Sequence, residues 1–306
     1  MNHILNGKQF ADKNLLDKIF AKAVELEKAD MSGGMPKLLN GKVIATVFYE
    51  TSTRTRLSFE SAAIKLGAGV ISVADPKTSS ASKGESLSDA IKVISGYCDA
   101  LVLRHPENGS SQLAASVSAV PVINAGDGFL EHPTQALYDL YTIQKELGTI
   151  SGLKIAFLSD FRFQRNIHSL VPMFSQFPNV ELYLIGPEEL KLPKEYKDEL
   201  QSAKIKFQEL SSLDSILPEI DVLYVTRVFK ERFNDEAEYE RLKKSFFVDT
   251  QTLSKMKTKS AILHVMPRIY EIDPVVDSDP RAAYFRQAKN GLYVRAALLL
   301  SALGLL

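Results

Sequence analysis

The stretch FYETSTRTRLSFESA, residues 48–62, marks a passage from strand to helix. The run VIATVFY (43–49), which overlaps its start, is short, continuous and rich in β-branched residues, which predicts a strand buried on both faces. Beyond it, apolar residues recur at the helical spacing i, i+3, i+4, i+7: Phe59, Ala62, Ala63 and Leu66. Such spacing predicts a helix with one apolar face, and Gly67 is predicted to end it. We therefore interpret the stretch as the first strand-to-helix turn of an α/β fold.

Apolar runs alternate with amphipathic segments along the whole chain. Eight further runs are predicted to be strands: GVISVAD, DALVLRH, VPVINAG, LKIAFLSD, NVELYLIG, AKIKFQEL, DVLYVTR and AILHVMP. The terminal NGLYVRAALLLSALGLL is predicted to be a helix that packs back on the body of the protein. This alternation predicts an α/β fold of two domains, each with a parallel sheet flanked by helices. A break falls near residues 148–152, and the sequence leaves open whether the long helix before it joins the domains.

The composition excludes several classes of protein. The 306 residues favour about two domains, and 37 basic residues balance 37 acidic ones. A formal net charge of zero argues against a general role in binding nucleic acid or a membrane surface. The single cysteine, Cys98, excludes an internal disulfide and a multi-cysteine metal site, and its context predicts a buried packing residue. Since AALLLSALGLL is shorter than the roughly 20 residues that span a bilayer, we expect a soluble cytoplasmic protein.

The opening stretch also carries the chemistry of an anion site. Ser52 is placed to cap the helix, and Thr53 to Thr55 form its first turn, where backbone N–H groups lack partners. Hydroxyls and Arg54 at such a helix N-terminus make a compact phosphate site, because arginine can bind phosphate through two N–H groups. The alternative is a capped helix with exposed arginines. The sequence contains neither a Gly-Lys-Ser/Thr loop nor a Gly-x-Gly-x-x-Gly turn, so a nucleotide site has little support.

Further polar groups follow two later predicted strands. Arg104-His105-Pro106 follows one of them, and His132-Pro133-Thr134-Gln135 opens the long helix. The carboxyl ends of parallel strands meet at one edge of a sheet, so these groups are expected in one crevice. Thr55, Arg104 and His132 could then all donate to one carbonyl oxygen, as an oxyanion hole does in acyl-type transfer.

Taken together, these motifs resemble those of the aspartate carbamoyltransferases. The matching segments, in family order and spacing, are Ser52-Thr53-Arg54-Thr55-Arg56, Lys83-Gly84-Glu85, Arg104-His105-Pro106, His132-Pro133-Thr134-Gln135, Thr226-Arg227 and Met266-Pro267-Arg268. The resemblance runs from about Gly41 to the C-terminal helix. It implies a carbamoyltransferase that needs neither a metal nor another cofactor and no covalent nucleophile.

The resemblance also implies roles for the residues that match. Carbamoyl phosphate would sit between the domains, with its phosphate held by Ser52, Thr53, Arg54 and Thr55. Its carbonyl would be polarised by Thr55, Arg104 and His132, and its amide would lie against Gln135. Ser79 and Lys83 would reach the neighbouring subunit's site in a homotrimer, although their loop alone is typical of a solvated linker. Glu50 and Arg232 would pair across the domains on closure, or be ordinary surface charges.

On the amine side the chain departs from the family pattern. Arg165 and Arg227, which match the ligands of aspartate's two carboxylates, are retained, and Met266-Pro267 lies in the matching loop. Phe229 stands where the family has a glutamine of the aspartate site, and Phe163 and Gln164 also differ. Since phenylalanine can neither donate nor accept a hydrogen bond, we expect weak aspartate use or another amine acid if Phe229 faces the site.

These observations lead to one function and two alternatives. We expect transfer of the carbamoyl group from carbamoyl phosphate to L-aspartate, giving N-carbamoyl-L-aspartate. Residues 1–132 with 290–306 would bind carbamoyl phosphate, and residues 133–289 the amine. A paralogue that acts on another amine acid, or a catalytically weak homologue, stays open. Ornithine is disfavoured because that branch reads His-Cys-Leu-Pro at residues 264–267. The sequence also leaves open a separate regulatory chain.

Overall fold

The computed structural model describes most of the chain, and its contacts divide it into two units. The described residues are 2–75, 77, 79–228, 230, 233, 235–243 and 245–306. Unit 1 comprises Met1–Tyr138, His168–Leu170 and Lys289–Leu306, and unit 2 comprises Asp139–Ile167 and Val171–Ala288. The first boundary between the units, after Tyr138, falls inside the long helix that begins at Pro133.

Unit 1 is built on a four-stranded parallel sheet. Its strands are β1 (Val43–Phe48), β2 (Gly69–Val73), β3 (Ala100–His105) and β4 (Val122–Asp127), in the spatial order β2-β1-β3-β4. Strands β1, β3 and β4 are almost entirely buried, as continuous apolar runs predict. Strand β2 at the edge is largely exposed.

Helices of unit 1 follow these strands in the predicted alternation. They are α1 (Lys13–Met31), α2 (Thr53–Lys65), α3 (Leu87–Ile94), α4 (Ser110–Val117), the start of α5 (Pro133–Leu147) and most of α10 (Tyr284–Ala302). The predicted apolar face of α2 is confirmed, because all four of its residues are buried. Gly67 follows the end of α2 with φ +93°, a backbone conformation that favours glycine. The terminal helix is confirmed and begins six residues before the predicted segment.

Unit 2 is built on a five-stranded parallel sheet. Its strands are β5 (Lys154–Leu158), β6 (Glu181–Ile185), β7 (Lys206–Leu210), β8 (Val222–Val225) and β9 (Ala261–His264), in the order β7-β6-β5-β8-β9. Between them lie the helices α6 (Arg165–Leu170), α7 (Lys194–Ser202), α8 (Glu236–Lys243) and α9 (Thr250–Lys255). The last three residues of α6 group with unit 1.

The predicted α/β class is confirmed, with one parallel sheet in each unit and each of the nine runs forming a strand. The polar loop around Ser79 contains a short 3-10 helix, Ser80–Lys83, rather than irregular chain alone. Over the described part of the chain, none of the helices is long and apolar enough to cross a membrane. The same residues contain no group of three or more His, Cys, Asp or Glu that could hold a metal ion.

Candidate active site

The order of strands in unit 1 creates a topological switch point beside β1. The chain passes from β1 to β2 on one side and to β3 on the other, so the strand order reverses at the β1/β3 boundary. Ligands of open parallel sheets bind outside the carboxyl ends of the strands at such a boundary. Phe48 at the end of β1 pairs with Arg104 in register, and the Tyr49 N–H donates to the Arg104 carbonyl at 2.8 Å. The predicted anion site therefore starts beside Arg104.

The first turn of α2 has the features of an anion site. Ser52 occupies the N-cap position with extended backbone (φ −157°, ψ 92°), as predicted, but its hydroxyl does not cap the helix. No acidic residue lies in the first turn. Thr55 is buried, whereas Thr53 and Arg54 are exposed. The N–H groups that the Ser52 hydroxyl leaves uncapped are suited to an anion, because a helix N-terminus carries a partial positive charge.

Arg104 is nearly buried and is held by groups of its own unit. Its Nη1 donates to the Ala125 carbonyl at 3.3 Å, and its Nη2 lies 3.0 Å from Oε2 of Glu50. The family resemblance implied that Glu50 pairs with Arg232 across the domains on closure, or that both are ordinary surface charges, but Arg232 lies outside the described residues. The structure therefore shows a partner for Glu50 that the sequence did not predict, and this partner is itself a predicted carbonyl donor.

His132 and Gln135 stand at the start of α5, both almost fully buried. The His132 backbone N–H donates to the Ser169 hydroxyl at 2.8 Å, and that hydroxyl in turn donates to the Glu131 carboxylate. The side-chain oxygen Oε1 of Gln135 accepts a 2.5 Å hydrogen bond from the Tyr138 hydroxyl. These contacts fix the position of the backbone at His132 and the orientation of the Gln135 amide.

Asp127 is a buried carboxylate that sequence reasoning missed. It ends β4, is completely buried, and accepts hydrogen bonds from the backbone N–H groups of Ser110 and Ser111, both at 3.2 Å, and from their hydroxyls. A carboxylate at the N-terminus of α4 is favoured by the helix dipole. Asp127 thus fixes α4 against the strand next to β3. Its signal in the sequence is a lone acidic residue that ends an apolar strand.

Unit 2 has a second switch point of the same kind, because the strand order of its sheet reverses at the β5/β8 boundary. Arg165 opens α6 after β5, and Arg227 lies just beyond the end of β8. The Gln164 side-chain amide donates to the Arg227 carbonyl at 3.3 Å, so the segments that carry the two arginines are joined directly. Next to them, the Phe163 ring lies under the Arg162 guanidinium, 4.7 Å from ring centroid to Cζ.

A buried pair of residues supports the Met266-Pro267 loop. His264 Nε2 lies 2.7 Å from Glu271 Oε1, and both side chains are fully buried. His264 Nδ1 accepts the Met266 N–H at 2.8 Å, which places the ring proton on Nε2, facing Glu271. Met266 has φ +55°, uncommon for a residue with a side chain, so the loop needs such support.

Glu271 binds the same loop from its other end. Its Oε2 accepts the N–H groups of Ile269 at 3.2 Å and Tyr270 at 2.9 Å. Burial alone would raise the pKa of Glu271, but the hydrogen bonds from His264 and from backbone N–H groups hold it below its usual value. The carboxylate is therefore ionised at neutral pH. Between them, Glu271 and His264 accept three backbone N–H groups of the loop, those of Met266, Ile269 and Tyr270.

The structure reveals a chain of buried hydrogen bonds in unit 2 that the sequence did not predict. Asn166, next to Arg165, donates to the Tyr224 hydroxyl at 2.7 Å, and that hydroxyl donates to Asp139 at 2.5 Å. Gln287 donates to Asp139 at 2.6 Å and accepts the His264 N–H at 2.9 Å. The chain thus links the start of α6 to the Met266 loop. Its signal in the sequence is an aspartate within the apolar pattern LYDLY.

The remaining predicted residues have varied outcomes. Ser79 caps the 3-10 helix by accepting the Ala81 N–H at 3.3 Å, and Lys83 is exposed at its end. Phe229, like Arg232, lies outside the described residues. Cys98 is half-buried, donates weakly to the Ile94 carbonyl, and has a pKa that burial raises to about 11. A thiol that stays protonated is a poor nucleophile, in agreement with the packing role.

Each unit therefore offers polar and cationic side chains at the switch point of a parallel sheet: a helix N-terminus with Arg104 and His132 in unit 1, and two arginines in unit 2. Such groups at such positions are suited to binding anions and to stabilising an oxyanion, as in an enzyme of acyl-type transfer.

The comparisons identify the family. Residues 2–145 match the model "Aspartate/ornithine carbamoyltransferase, carbamoyl-P binding domain", and residues 151–302 match "Aspartate/ornithine carbamoyltransferase, Asp/Orn binding domain". The chain belongs to the aspartate/ornithine carbamoyltransferase family.

Individual relatives agree with this assignment. The chain is 50% identical to the aspartate carbamoyltransferase catalytic subunit of Methanocaldococcus jannaschii, over 98% of this chain and 97% of the relative. It is 46% identical to the corresponding subunit of Alkaliphilus metalliredigens, over 99% and 98%. Among solved structures, aspartate transcarbamoylase from Trypanosoma cruzi in complex with carbamoyl phosphate and aspartate matches with a TM-score of 0.92. Its identity is 34%, over 98% of this chain and 96% of that one.

Proposed function

We propose that this chain transfers the carbamoyl group of carbamoyl phosphate to the amino group of L-aspartate, giving N-carbamoyl-L-aspartate and phosphate. The observation that carries the proposal is near end-to-end likeness to catalytic subunits named for aspartate, together with a matching structure that holds both substrates. The same observation favours aspartate over another amine acid and over a catalytically weak homologue. The reaction is the carbamoylation step of pyrimidine biosynthesis.

Carbamoyl phosphate would bind to the domain formed by residues 1–132 and 290–306. Its phosphate would accept hydrogen bonds from the first turn of α2, that is, from Ser52, Thr53, Arg54 and Thr55. The absence of acidic side chains from that turn supports this assignment. Arg104 and His132, which follow the neighbouring strands β3 and β4, would act with Thr55 on the carbonyl oxygen, and Gln135 would bind the amide.

The amine substrate would bind to residues 133–289. Arg165 and Arg227, which Gln164 joins at the ends of neighbouring strands, would hold the two carboxylates of aspartate. The Met266-Pro267 loop, supported by His264 and Glu271, would close the other side of this half-site. Phe229 would also belong to it, and Phe163 and Gln164 would shape it in place of the usual family residues.

The chemistry follows from these positions. The neutral amine attacks the carbamoyl carbon, a C–N bond forms and the carbonyl oxygen becomes an oxyanion. The C–O bond to phosphate then breaks, and the amine proton is lost to the departing phosphate or to water. Donors aimed at the developing charge, together with the orientation of two bound reactants, supply the acceleration. Arg104, Thr55 and His132 are the donors in this scheme, so none of them has to change its covalent state.

Phosphate release with a panel of amines tests the proposal. Purified protein is mixed with carbamoyl phosphate and, in turn, with L-aspartate, L-ornithine, other amino acids or no amine. We expect phosphate release above the no-amine rate with L-aspartate, and N-carbamoyl-L-aspartate as the product by mass spectrometry. Faster release with another amine would favour the paralogue. No amine-dependent release in protein that binds phosphate would mean a catalytically weak homologue.

We further propose a cytoplasmic homotrimer with shared active sites, in which Ser79 and Lys83 of one chain reach the site of the next. The exposure of Lys83 at the end of its 3-10 helix supports an outward role. Closure of the active site would bring Glu50 to Arg232. The relatives that are named catalytic subunits also make a separate regulatory chain a partner to test for.

A further inference from the structure

A cationic side chain of the C-terminal helix is buried in unit 1. Arg295 lies on α10, in the apolar segment VRAALLL (294–300), and is only 2% exposed. Its guanidinium lies between two aromatic rings, 5.2 Å from the centroid of Phe59 and 4.9 Å from that of Tyr138. Its Nη1 also donates to the Ser58 hydroxyl. Phe59 and Ser58 belong to α2 and Tyr138 to α5, so one side chain holds three helices.

Two of these three contacts, Ser58 and Tyr138, lie one step from a residue of the proposed phosphate half-site. The Ser58 hydroxyl is directed at the carbonyl oxygens of Arg54 and Thr55, at 2.7 and 3.0 Å. The Tyr138 hydroxyl donates to the side-chain oxygen Oε1 of Gln135 at 2.5 Å. Arg295 is therefore connected to the phosphate-binding turn through Ser58 and to the amide ligand through Tyr138.

The glycine one turn before Arg295 leaves room for the contact between Arg295 and Tyr138. Gly291 lies inside α10, and glycine is a weak helix former. A Cβ at that position would lie 3.1 Å from the Tyr138 ring and 3.2 Å from Nη1 of Arg295. The close approach of these two side chains explains the glycine. The helix thus loses some intrinsic stability at the place where Arg295 and Tyr138 meet.

Burying a charged side chain in the interior of a protein is energetically unfavourable. Desolvation of a cation is unfavourable, and an apolar side chain of similar volume often packs at least as well. Aromatic faces and a hydroxyl acceptor reduce that penalty. The position of this charge behind the N-terminal turn of α2 suggests a reason, because a positive charge in a poorly screened interior favours an anion bound at that turn.

We propose that Arg295 is a positioning residue for the carbamoyl phosphate half-site. Through Ser58 it fixes the carbonyl oxygens of the first turn of α2, and through Tyr138 it fixes the amide of Gln135. Its charge also strengthens the attraction of that turn for phosphate. The inference rests on the proposed function, since it assumes that phosphate binds at the start of α2.

Two substitutions of Arg295 separate its charge from its volume. Arg295→Met keeps a long side chain and removes the charge, and Arg295→Lys keeps the charge but loses the planar fork. Arg286→Met is the matched control, because Arg286 lies on the same helix and forms a more exposed pair with Glu146, 2.8 Å apart. The measurements are the Kd of inorganic phosphate by calorimetry, kcat, the KM of each substrate, and Tm.

We expect Arg295→Met to weaken phosphate binding by about tenfold, the effect of one well-placed charge, and Arg295→Lys to recover part of the loss. The aspartate KM at saturating carbamoyl phosphate should change little, and the Arg286→Met control should bind phosphate as the parent does. An Arg295→Met protein that has only a lower Tm, with phosphate affinity and kcat unchanged, would overturn the proposal.

Two milder variants keep the test decisive if Arg295→Met does not fold. Ser58→Ala removes the link to α2 and should weaken phosphate binding several-fold. Tyr138→Phe removes only the link to Gln135 and should lower kcat while phosphate affinity is kept. Parental values in both folded variants would also overturn the proposal.

Arg54→Ala, measured in parallel, separates this inference from the proposed function. If Arg54→Ala weakens phosphate binding while the variants of Arg295, Ser58 and Tyr138 behave as the parent does, only the positioning role is wrong. If Arg54→Ala also binds phosphate normally, the site assignment itself fails, and this inference fails with it.

Discussion

Oε2 of Glu50 lies 3.0 Å from Nη2 of Arg104, within unit 1. A predicted interdomain residue is therefore paired with a predicted ligand of the substrate carbonyl. About a third of the Glu50 side chain is exposed to solvent, whereas Arg104 is nearly buried. Water can therefore reach the carboxylate more easily than the guanidinium. In the proposed half-site, Arg104 already has an acceptor in Glu50, which a substrate oxygen would have to replace or share.

Glu50→Gln tests this competition. Removing the negative charge beside Arg104 should tighten the binding of carbamoyl phosphate, whose carbonyl Arg104 is proposed to bind, by about two- to fivefold, since a partly exposed ion pair is worth under about 1 kcal/mol. Calorimetric titration measures the effect. Glu107→Gln is the control, because Glu107 is an exposed carboxylate just beyond β3, the strand that carries Arg104. Weaker binding in Glu50→Gln would instead mean that Glu50 orients Arg104.

Arg54→Ala is expected to damage catalysis and leave folding intact. Arg54 is exposed on the first turn of α2, so its removal leaves no cavity. Loss of a charge-assisted contact to phosphate should remove about 2–4 kcal/mol of transition-state stabilisation, or two to three orders of magnitude in rate. Steady-state kinetics and thermal unfolding measure both properties. Lys65→Ala, at the other end of the same helix, should keep its activity. Near-normal turnover of folded Arg54→Ala would refute the assignment.

Shared sites predict complementation between two inactive proteins. Lys83→Ala chains and Arg54→Ala chains are dissociated, mixed and reassembled. Some sites in mixed trimers would then receive an intact Lys83 from one chain and an intact Arg54 from another, so part of the activity should return. Each variant reassembled with itself is the control. Verified mixed trimers without recovered activity would show that each site is contained in one chain.

Glu271→Gln should loosen the Met266 loop. The carboxylate lies 2.7 Å from His264 Nε2 and accepts two backbone N–H groups, but a glutamine amide has only one acceptor oxygen, so its NH₂ group faces at least one of these N–H groups. A buried donor left unsatisfied should reduce the free energy of unfolding by about 1–3 kcal/mol. Urea unfolding measures this loss, with Glu238→Gln, a partly exposed carboxylate on α8, as the control.

The same variant should have a raised KM for aspartate, while its affinity for inorganic phosphate stays near the parental value. This split follows because the loop belongs to unit 2 and the proposed phosphate site belongs to unit 1. Equal losses on both substrates would contradict a local role of Glu271 in the loop.

His105 gives a prediction on pH. Its burial lowers the pKa of the imidazole below 6.5, and the nearby carboxylates of Glu107, Asp127 and Glu50 offset part of that effect. In agreement, Nδ1 accepts the Glu107 N–H at 3.1 Å, which only the neutral ring can do. Since the unfolded chain takes up this proton more readily, stability should be present above pH 6.5 and fall as the pH drops through the folded pKa.

NMR titration of the His105 ring should therefore give a midpoint below 6.5, with the signal assigned by its loss in His105→Asn. In urea unfolding, the variant should lose less stability than the parent between pH 7 and pH 5. A midpoint above 6.5, or equal pH slopes in the two proteins, would contradict the prediction.

The sequence by itself determined the alternation of strands and helices and the place of the anion motif. The apolar residues of α2 and of the buried strands recur in the sequence with a regular pattern, because each kind of element buries residues at its own period. The placing of Arg104 beside the end of β1 also followed from the sequence, since parallel strands present their carboxyl ends at one edge. The Ser52 hydroxyl was the exception, because its N-cap position did not ensure a capping bond.

Only the tertiary structure decided which polar groups became partners. Arg295 and Ser58 are 237 residues apart, and Glu50 meets Arg104 at the end of another strand. A charged residue in an apolar run, such as Arg295, shows in the sequence that a partner is needed, but nothing in its spacing says which one. The reason is physical: burial makes hydrogen bonding obligatory, and the fold, through packing of distant elements, determines which donors and acceptors come within reach.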